Sequence, residues 1–232
     1  MKPIIGITVD NRENTVASGV YECAIAYTRS VVNAGGVPVL LPHEVELIEH
    51  YLRVCDGFIF TGGVDPKMEP FGEVTHPSAR PMDSRRQAFE SALLAALEPM
   101  KSKAVLGVCL GMQLMTLHAG GKLDQYLPDS LSNPQVHQKN NRHAVKLADE
   151  QVIFDRQAAS TCTVVSSHRQ GMVSAGSLRV IATAEDGVIE AVDDPSRPFY
   201  VGVQWHPERG GEGELNQSLL NRLVSACQSA KK

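Results

Sequence analysis

Apolar residues follow two alternating rhythms along the first half of the chain. "PIIGITV" (3–9), "VPVLLP" (37–42), "GFIFTGG" (57–63) and "AVLGV" (104–108) are short apolar runs bounded by Gly or Pro, the mark of buried strands. Between them, "VYECAIAYTRSVVNAGG" (20–36), "EVELIEHYLRVC" (44–55) and "SRRQAFESALLAALEPM" (84–100) repeat their apolar residues at helical spacing. The first of these ends in glycines suited to a C-cap, and the last follows Asp83, a good N-cap. From about residue 143 the rhythm changes to short strands broken by turn residues: "HAVKL", "CTVVSS", "LRVIATAED", "GVIEAVDD" and "FYVGVQW". A helix, "GELNQSLLNRLVSACQSA" (213–230), closes the pattern. Strand–helix alternation of this kind predicts a parallel sheet with helices on both faces, here with a β-rich second half. One domain over 1–232 is expected, since no linker, repeat or low-complexity stretch divides the chain.

Two segments break the rhythm. The loops from Thr61 to Asp83 and from Gln125 to Asn141 are long for connections in a compact domain, which marks them as functional or mobile. The first leaves a predicted strand end, where ligands gather in open α/β sheets.

Composition narrows the class without naming a chemistry. The chain has 232 residues, 43% hydrophobic and 21% charged, and its net charge of -4 is not gathered into blocks. A nucleic-acid surface would need clustered Lys and Arg, so nucleic-acid binding is not expected. No apolar run approaches a membrane span, and "MKPIIGITVD" is too short in its apolar part for a signal segment. The five cysteines show no C-x-x-C pairing and read as reduced thiols, so a cytoplasmic protein is expected.

One of those cysteines is placed differently from the rest. In "GVCLG" (107–111), Cys109 stands where a strand meets a helix, between Gly107 and Gly111, the cysteine counterpart of the G-x-S-x-G elbow. The glycines permit the turn and clear the approach of a carbonyl. The positive end of the following helix favours a thiolate, and the first N–H groups, that of Leu110 above all, could donate to an oxyanion. A thiol nucleophile needs a base with an orienter. "YVGVQWHPER" (200–209) offers His206 at a strand end and Glu208 two residues on, on the same side in extended geometry. "FTGGVD" (60–65) offers Gly62 and Gly63 as a turn whose N–H groups can face a ligand. His43, His50, His76, His118, His137 and His143 have no such setting and read mostly as isolated surface or core histidines. Arg80, Arg85 and Arg86 could anchor a substrate carboxylate, but read first as solvated surface arginines.

"GVCLGMQLM", "FTGGVD" and "GVQWHPE" together resemble the signature segments of the class I glutamine amidotransferase superfamily. Within it the chain is similar to the peptidase C26 branch, the γ-glutamyl hydrolases, through "AYTRSVVNAGGVPVLLP", "RRQAFE", "AGGKLDQYL", "SSHRQGM" and "DGVIEAV". The resemblance implies a three-layer, flavodoxin-like α/β sandwich around a mostly parallel sheet with an antiparallel extension. It implies Cys109 as nucleophile, His206 as base, Glu208 as its partner, and the N–H groups of Gly63 and Leu110 as the oxyanion hole. Gln113, His168 and Gln170 match positions that meet the substrate, and neither a metal nor an organic cofactor is implied. Two positions depart from the branch: Leu110 stands where its members usually carry Arg, and Gln87 where they often carry Asp. The expected activity is cysteine-dependent hydrolysis of a small γ-glutamyl amide by a monomer or homodimer. Leu110 is shared with glutaminase subunits, which makes an ammonia supplier to a partner synthase the alternative. A non-catalytic regulatory module ranks third.

Overall fold

The computed structural model describes residues 1–12, 19–148, 153, 161–210 and 215–229. In chain order the first half contains β1 (Ile4–Thr8), β2 (Asp10–Arg12), β3 (Val20–Glu22), α1 (Ile25–Asn33), β4 (Val37–Leu41), α2 (Ile48–Val54), β5 (Gly57–Phe60), α3 (Ser84–Leu97), β6 (Ala104–Val108) and α4 (Leu110–His118). The second half contains β7 (Lys122–Asp124), α5 (Leu127–Ser130), β8 (Asn141–Leu147), β9 (Thr161–Ser166), β10 (Gly171–Ser174), β11 (Arg179–Ala184), β12 (Ile189–Asp193), β13 (Tyr200–Val203) and α6 (Gln217–Ser229).

Five strands, in the order β4-β1-β5-β6-β13, are parallel, and β12, β11, β8 and β9 continue the same sheet antiparallel. The expected mostly parallel sheet with an antiparallel extension is therefore the observed one. Every residue of β5, β6 and β13 is buried, as strands covered on both faces should be. Their period of two divides the core. Ile59, Leu106 and Val108 pack with Tyr27 and Val31 of α1 and with Leu219 and Leu223 of α6. Phe58, Phe60 and Val105 face the other way, onto Leu52 of α2, Phe89 and Leu93 of α3 and Leu114 of α4. Asp83 caps α3 as expected, accepting from the N–H groups of Arg85 and Arg86.

Several expectations need correction. The helix expected over 20–36 begins only at Ile25, because Val20–Glu22 pairs with Asp10–Arg12 as a two-stranded ribbon. β7 and β10, absent from the expected strands, pair with each other and join the main sheet where β10 pairs with β12; they carry too few residues to show a period. The first residues of the expected C-terminal helix, 213 and 214, lie outside the described residues. The long loops also have structure of their own: a 3-10 turn at Glu69–Phe71 in one, α5 and a 3-10 turn at Pro134–His137 in the other. They meet where the His76 N–H donates to the Gln125 side-chain carbonyl at 2.7 Å. Among the described residues, no helix is long and apolar enough to cross a membrane.

Gly111 shows how tightly α4 is set against the sheet. A Cβ built there would overlap the carbonyl group of Phe60 at the end of β5. Alanine is the better helix former by about 1 kcal/mol, yet backbone cannot yield as a side-chain tip can. Gly111→Ala is therefore expected to lower stability by about 1–3 kcal/mol. Urea unfolding checks this, and a rise in the midpoint would show that α4 has room to move.

Candidate active site

Three loops leave the same rim of the sheet. In the parallel register Phe60 pairs with Gly107, and Val203 with Val108. The residues that follow, Thr61–Gly63, Cys109 and Gln204–His206, must then emerge side by side at the carboxyl ends of β5, β6 and β13. Cys109 adopts φ 51° and ψ -105°, a left-handed corner that non-glycine residues rarely occupy. Gly107 makes that corner possible, because a Cβ on it would strike Met115 and the backbone at Gly111. The Cys109 N–H donates to the Val203 carbonyl at 2.8 Å, and α4 starts at the next residue.

The groups expected to work together do converge. A Cβ placed on Gly62 would lie 3.0 Å from His206 Cε1, 3.3 Å from the Tyr27 hydroxyl and 3.5 Å from Cys109 Cβ. His206 Nδ1 is 2.8 Å from Glu208 Oε1, and the Arg209 guanidinium Nε is 3.2 Å from the same oxygen. Burial by itself would lower the basicity of His206. Hydrogen bonds to Cys109 and Glu208 outweigh it and push the imidazole up to about 9. Gly63 abuts the start of α4: a Cβ there would lie 2.9 Å from the Leu110 side chain. An open cleft lies over this arrangement, its walls including Cys23, Tyr27, Gly62, Gly63, Ser167 and His206. A thiol beside a proton-holding imidazole, with backbone N–H groups at hand, can attack an acyl carbon and protonate its leaving group.

The other expected contacts are placed differently. Gln113 is buried, and its amide donates to Gln204 Oε1 at 3.1 Å, while Gln204 Nε2 donates to Cys109 Sγ at 3.5 Å. Gln113 thus reaches the thiol through Gln204. His168 and Gln170 are buried too: His168 Nδ1 is 2.8 Å from the Gln170 carbonyl, and the Gln170 side chain donates to the Gln125 carbonyl at 3.0 Å. The free edge of the His168 ring faces Glu190 instead of the cleft.

Arg86 corrects the reading of solvated arginines. It is fully buried, 2.8 Å from Glu90 Oε1 and 3.0 Å from Asp10 Oδ1, and it donates to the Thr61 and Gly62 carbonyls at 3.0 and 3.1 Å. Burial opposes its charge, but Glu90 and Asp10 hold the proton more firmly than usual. Gln87 accepts from the Lys67 N–H and donates to the Lys67 carbonyl, both at 2.8 Å. A carboxylate could make only the first of these bonds, which gives the departure from Asp a physical sense. Tyr27, Gln204 and Arg86 are the site groups that sequence reasoning missed. Gln204 has a signal, since it stands inside "GVQWHPE".

Comparison with known proteins identifies the family. The peptidase C26 family model matches residues 3–208. The gamma-glutamyl-gamma-aminobutyrate hydrolase PuuD of Escherichia coli (strain K12) is 31% identical over 97% of this chain and 94% of its own length. A candidate glutamine amidotransferase of Mycobacterium tuberculosis is 32% identical over 97% of this chain and 75% of its own. In fold, a candidate GMP synthase subunit from Thermoplasma acidophilum superposes with a TM-score of 0.69 at 16% identity, covering 100% of this chain and 97% of that one. The chain belongs to the peptidase C26 family and is a hydrolase of the glutamine amidotransferase type.

Proposed function

We propose that this protein hydrolyses the γ-amide bond of γ-glutamyl amines, compounds of the kind named for its Escherichia coli relative, γ-glutamyl-γ-aminobutyrate among them. Cys109 Sγ, its proton passed to His206, attacks the γ-carbonyl carbon, and the N–H groups of Gly63 and Leu110 receive the developing oxyanion. The C–N bond then breaks as His206 gives its proton to the leaving amine. Water attacks the resulting thioester with His206 as base, which frees glutamate and restores the thiol. Glu208 orients His206 throughout. The observation that carries this reading is the convergence of Cys109 and His206 on Gly62, beside a cleft that Gly62 and His206 line, with Glu208 2.8 Å behind the imidazole. Arg80 and Arg209 line the same cleft and suit the α-carboxylate of a glutamyl group.

Leu110 favours a second reading, a glutaminase that passes ammonia to a synthase, because at this position the chain resembles glutaminase subunits and lacks the Arg usual in the γ-glutamyl hydrolases. Amine and ammonia release from a panel of γ-glutamyl amides, glutamine included, separates the two. Turnover of γ-glutamyl amines by the isolated chain supports the first reading. Release from glutamine alone supports the second, and no release from any member counts against both.

The proton on His206 makes a further prediction. With its affinity raised to about 9, His206 is protonated at neutral pH and loses its proton only as the pH rises through that value. The value of kcat/KM is expected to hold through neutral pH and to fall near pH 9, where the leaving amine no longer receives a proton. A kcat/KM profile that already declines as the pH rises through 6.5, the ordinary value for histidine, would contradict the arrangement.

A further inference from the structure

Four side chains outside the cleft converge in a way the hydrolytic chemistry does not use. His137 from the second long loop, His143 on β8, His168 after β9 and Glu190 on β12 each turn one ligand atom inward, and these atoms all lie within 4.8 Å of one another. His137, His168 and Glu190 are buried, and the His143 side chain is only 9% exposed. His137 and His143, read from the sequence as isolated histidines, are therefore parts of one cluster. We propose that His137, His143, His168 and Glu190 bind one divalent transition-metal ion of the zinc class.

The distances support a metal over a hydrogen-bonded network. From Glu190 Oε1 it is 3.3 Å to His137 Nδ1, 3.5 Å to His143 Nε2 and 3.6 Å to His168 Nε2. Good N–H···O bonds are about 2.9–3.0 Å. A tetrahedron with metal–ligand bonds of about 2.1 Å has edges of about 3.4 Å. His137 Nδ1, His168 Nε2 and both Glu190 oxygens are buried, and the rings meet the carboxylate at these ion-pair distances without a well-formed hydrogen bond among the described residues. Buried polar groups so loosely paired are costly, and one shared ion would satisfy them together.

The outer edges of the rings fit the same reading. His137 Nε2 lies 2.8 Å from Asp186 Oδ2, and His168 Nδ1 lies 2.8 Å from the Gln170 carbonyl. An acceptor behind each ring takes its N–H and turns an unprotonated nitrogen inward, the arrangement typical of metal-bound histidine. His143 Nδ1 likewise lies 3.1 Å from the Ala144 carbonyl. Its Nε2 is 2.8 Å from the Ser166 hydroxyl, which yields this nitrogen when the ion enters. A shallow cleft touching His143, Val136 and Asp186 gives the ion a way in. The ion would tie the 125–141 loop to three strands of the antiparallel extension. Ser167 of the catalytic cleft adjoins His168, and the Gln204 N–H donates to the Glu190 carbonyl at 2.7 Å.

The test uses the full chain carrying Cys109→Ala, so that the thiol beside His206 cannot bind the ion. After dialysis against a chelator, calorimetric titration with zinc is expected to give one site per chain. Adding His137→Asn or Glu190→Gln should weaken it by more than the ~10–100-fold that changes behind a metal ligand cost. Zinc at a thousandfold excess over Kd should raise Tm by roughly 8–16 °C, a rise absent in those variants. Should they fail to fold, cobalt replaces zinc: the visible spectrum of a tetrahedral ion is expected, altered by His143→Asn at the cluster's rim. Absence of binding, equal binding in every variant, or a cobalt spectrum that His143→Asn leaves unchanged overturns the proposal. Each readout is independent of whether any γ-glutamyl amide is cleaved.

Discussion

Replacing Cys109 with alanine is expected to lower turnover of a γ-glutamyl amide by on the order of 10⁴- to 10⁶-fold, the loss seen when a triad enzyme loses its nucleophile. The sulfur is proposed to form the bond that replaces the amide, and Cys23, a second thiol on the cleft, has its proton held more firmly by burial and is a poor substitute. Gln204 Nε2 already donates to Cys109 Sγ, and His206 is held between the thiol and Glu208. In the variant those groups keep their positions but have nothing to activate. Folding should survive, because alanine fits the space and the same corner at φ 51° remains available to it. The measurement is kcat for the most active amide of the panel, with circular dichroism and Tm to show that the variant is folded. Mass spectrometry of the quenched wild type should also find a glutamyl group on Cys109. A folded variant within tenfold of wild type would remove the nucleophile from the proposal.

How much of this site can be read from the string depends on how far each interaction reaches along the chain. Cys109 between Gly107 and Gly111 is a local signal, because the turn that needs the glycines is made by them. His206 and Glu208 are two residues apart, and their 2.8 Å contact follows from extended geometry. The mostly parallel sheet can also be expected, since buried apolar runs alternate with amphipathic helices. Arg86 cannot be read this way. The i,i+4 spacing to Glu90 suits an exposed ion pair as well as a buried one, and only the fold brings Thr61 and Gly62 to its guanidinium. Likewise His137, His143, His168 and Glu190 come from four separate segments, and no spacing in the sequence announces their convergence. Val20–Glu22 reads as helix because apolar residues fit both periods over so short a stretch. Its pairing with Asp10–Arg12 decides the matter.

Arg86→Met is the second change expected to have a large effect, and it separates stability from catalysis. Arg86 and Glu90 have fully buried side chains, so removing the cation leaves a carboxylate in the core that burial already pushes toward its protonated form. Breaking a buried pair in this way costs about 3–5 kcal/mol, a large share of the roughly 5–15 kcal/mol that typically holds a domain together. Replacing both partners, as Arg86→Met with Glu90→Leu, should recover much of that loss, because apolar side chains of similar volume need no partner. Activity should behave otherwise. The guanidinium also binds the carbonyls of Thr61 and Gly62, and so fixes the turn that carries the Gly63 N–H, one of the two proposed oxyanion donors. Neither methionine nor leucine can replace those bonds. The double variant is therefore expected to regain Tm while kcat stays depressed by about 10²-fold or more, the scale of losing one oxyanion donor. Recovery of both together would reduce Arg86 to a partner for Glu90. Recovery of stability alone would make it the residue that holds the oxyanion turn in place.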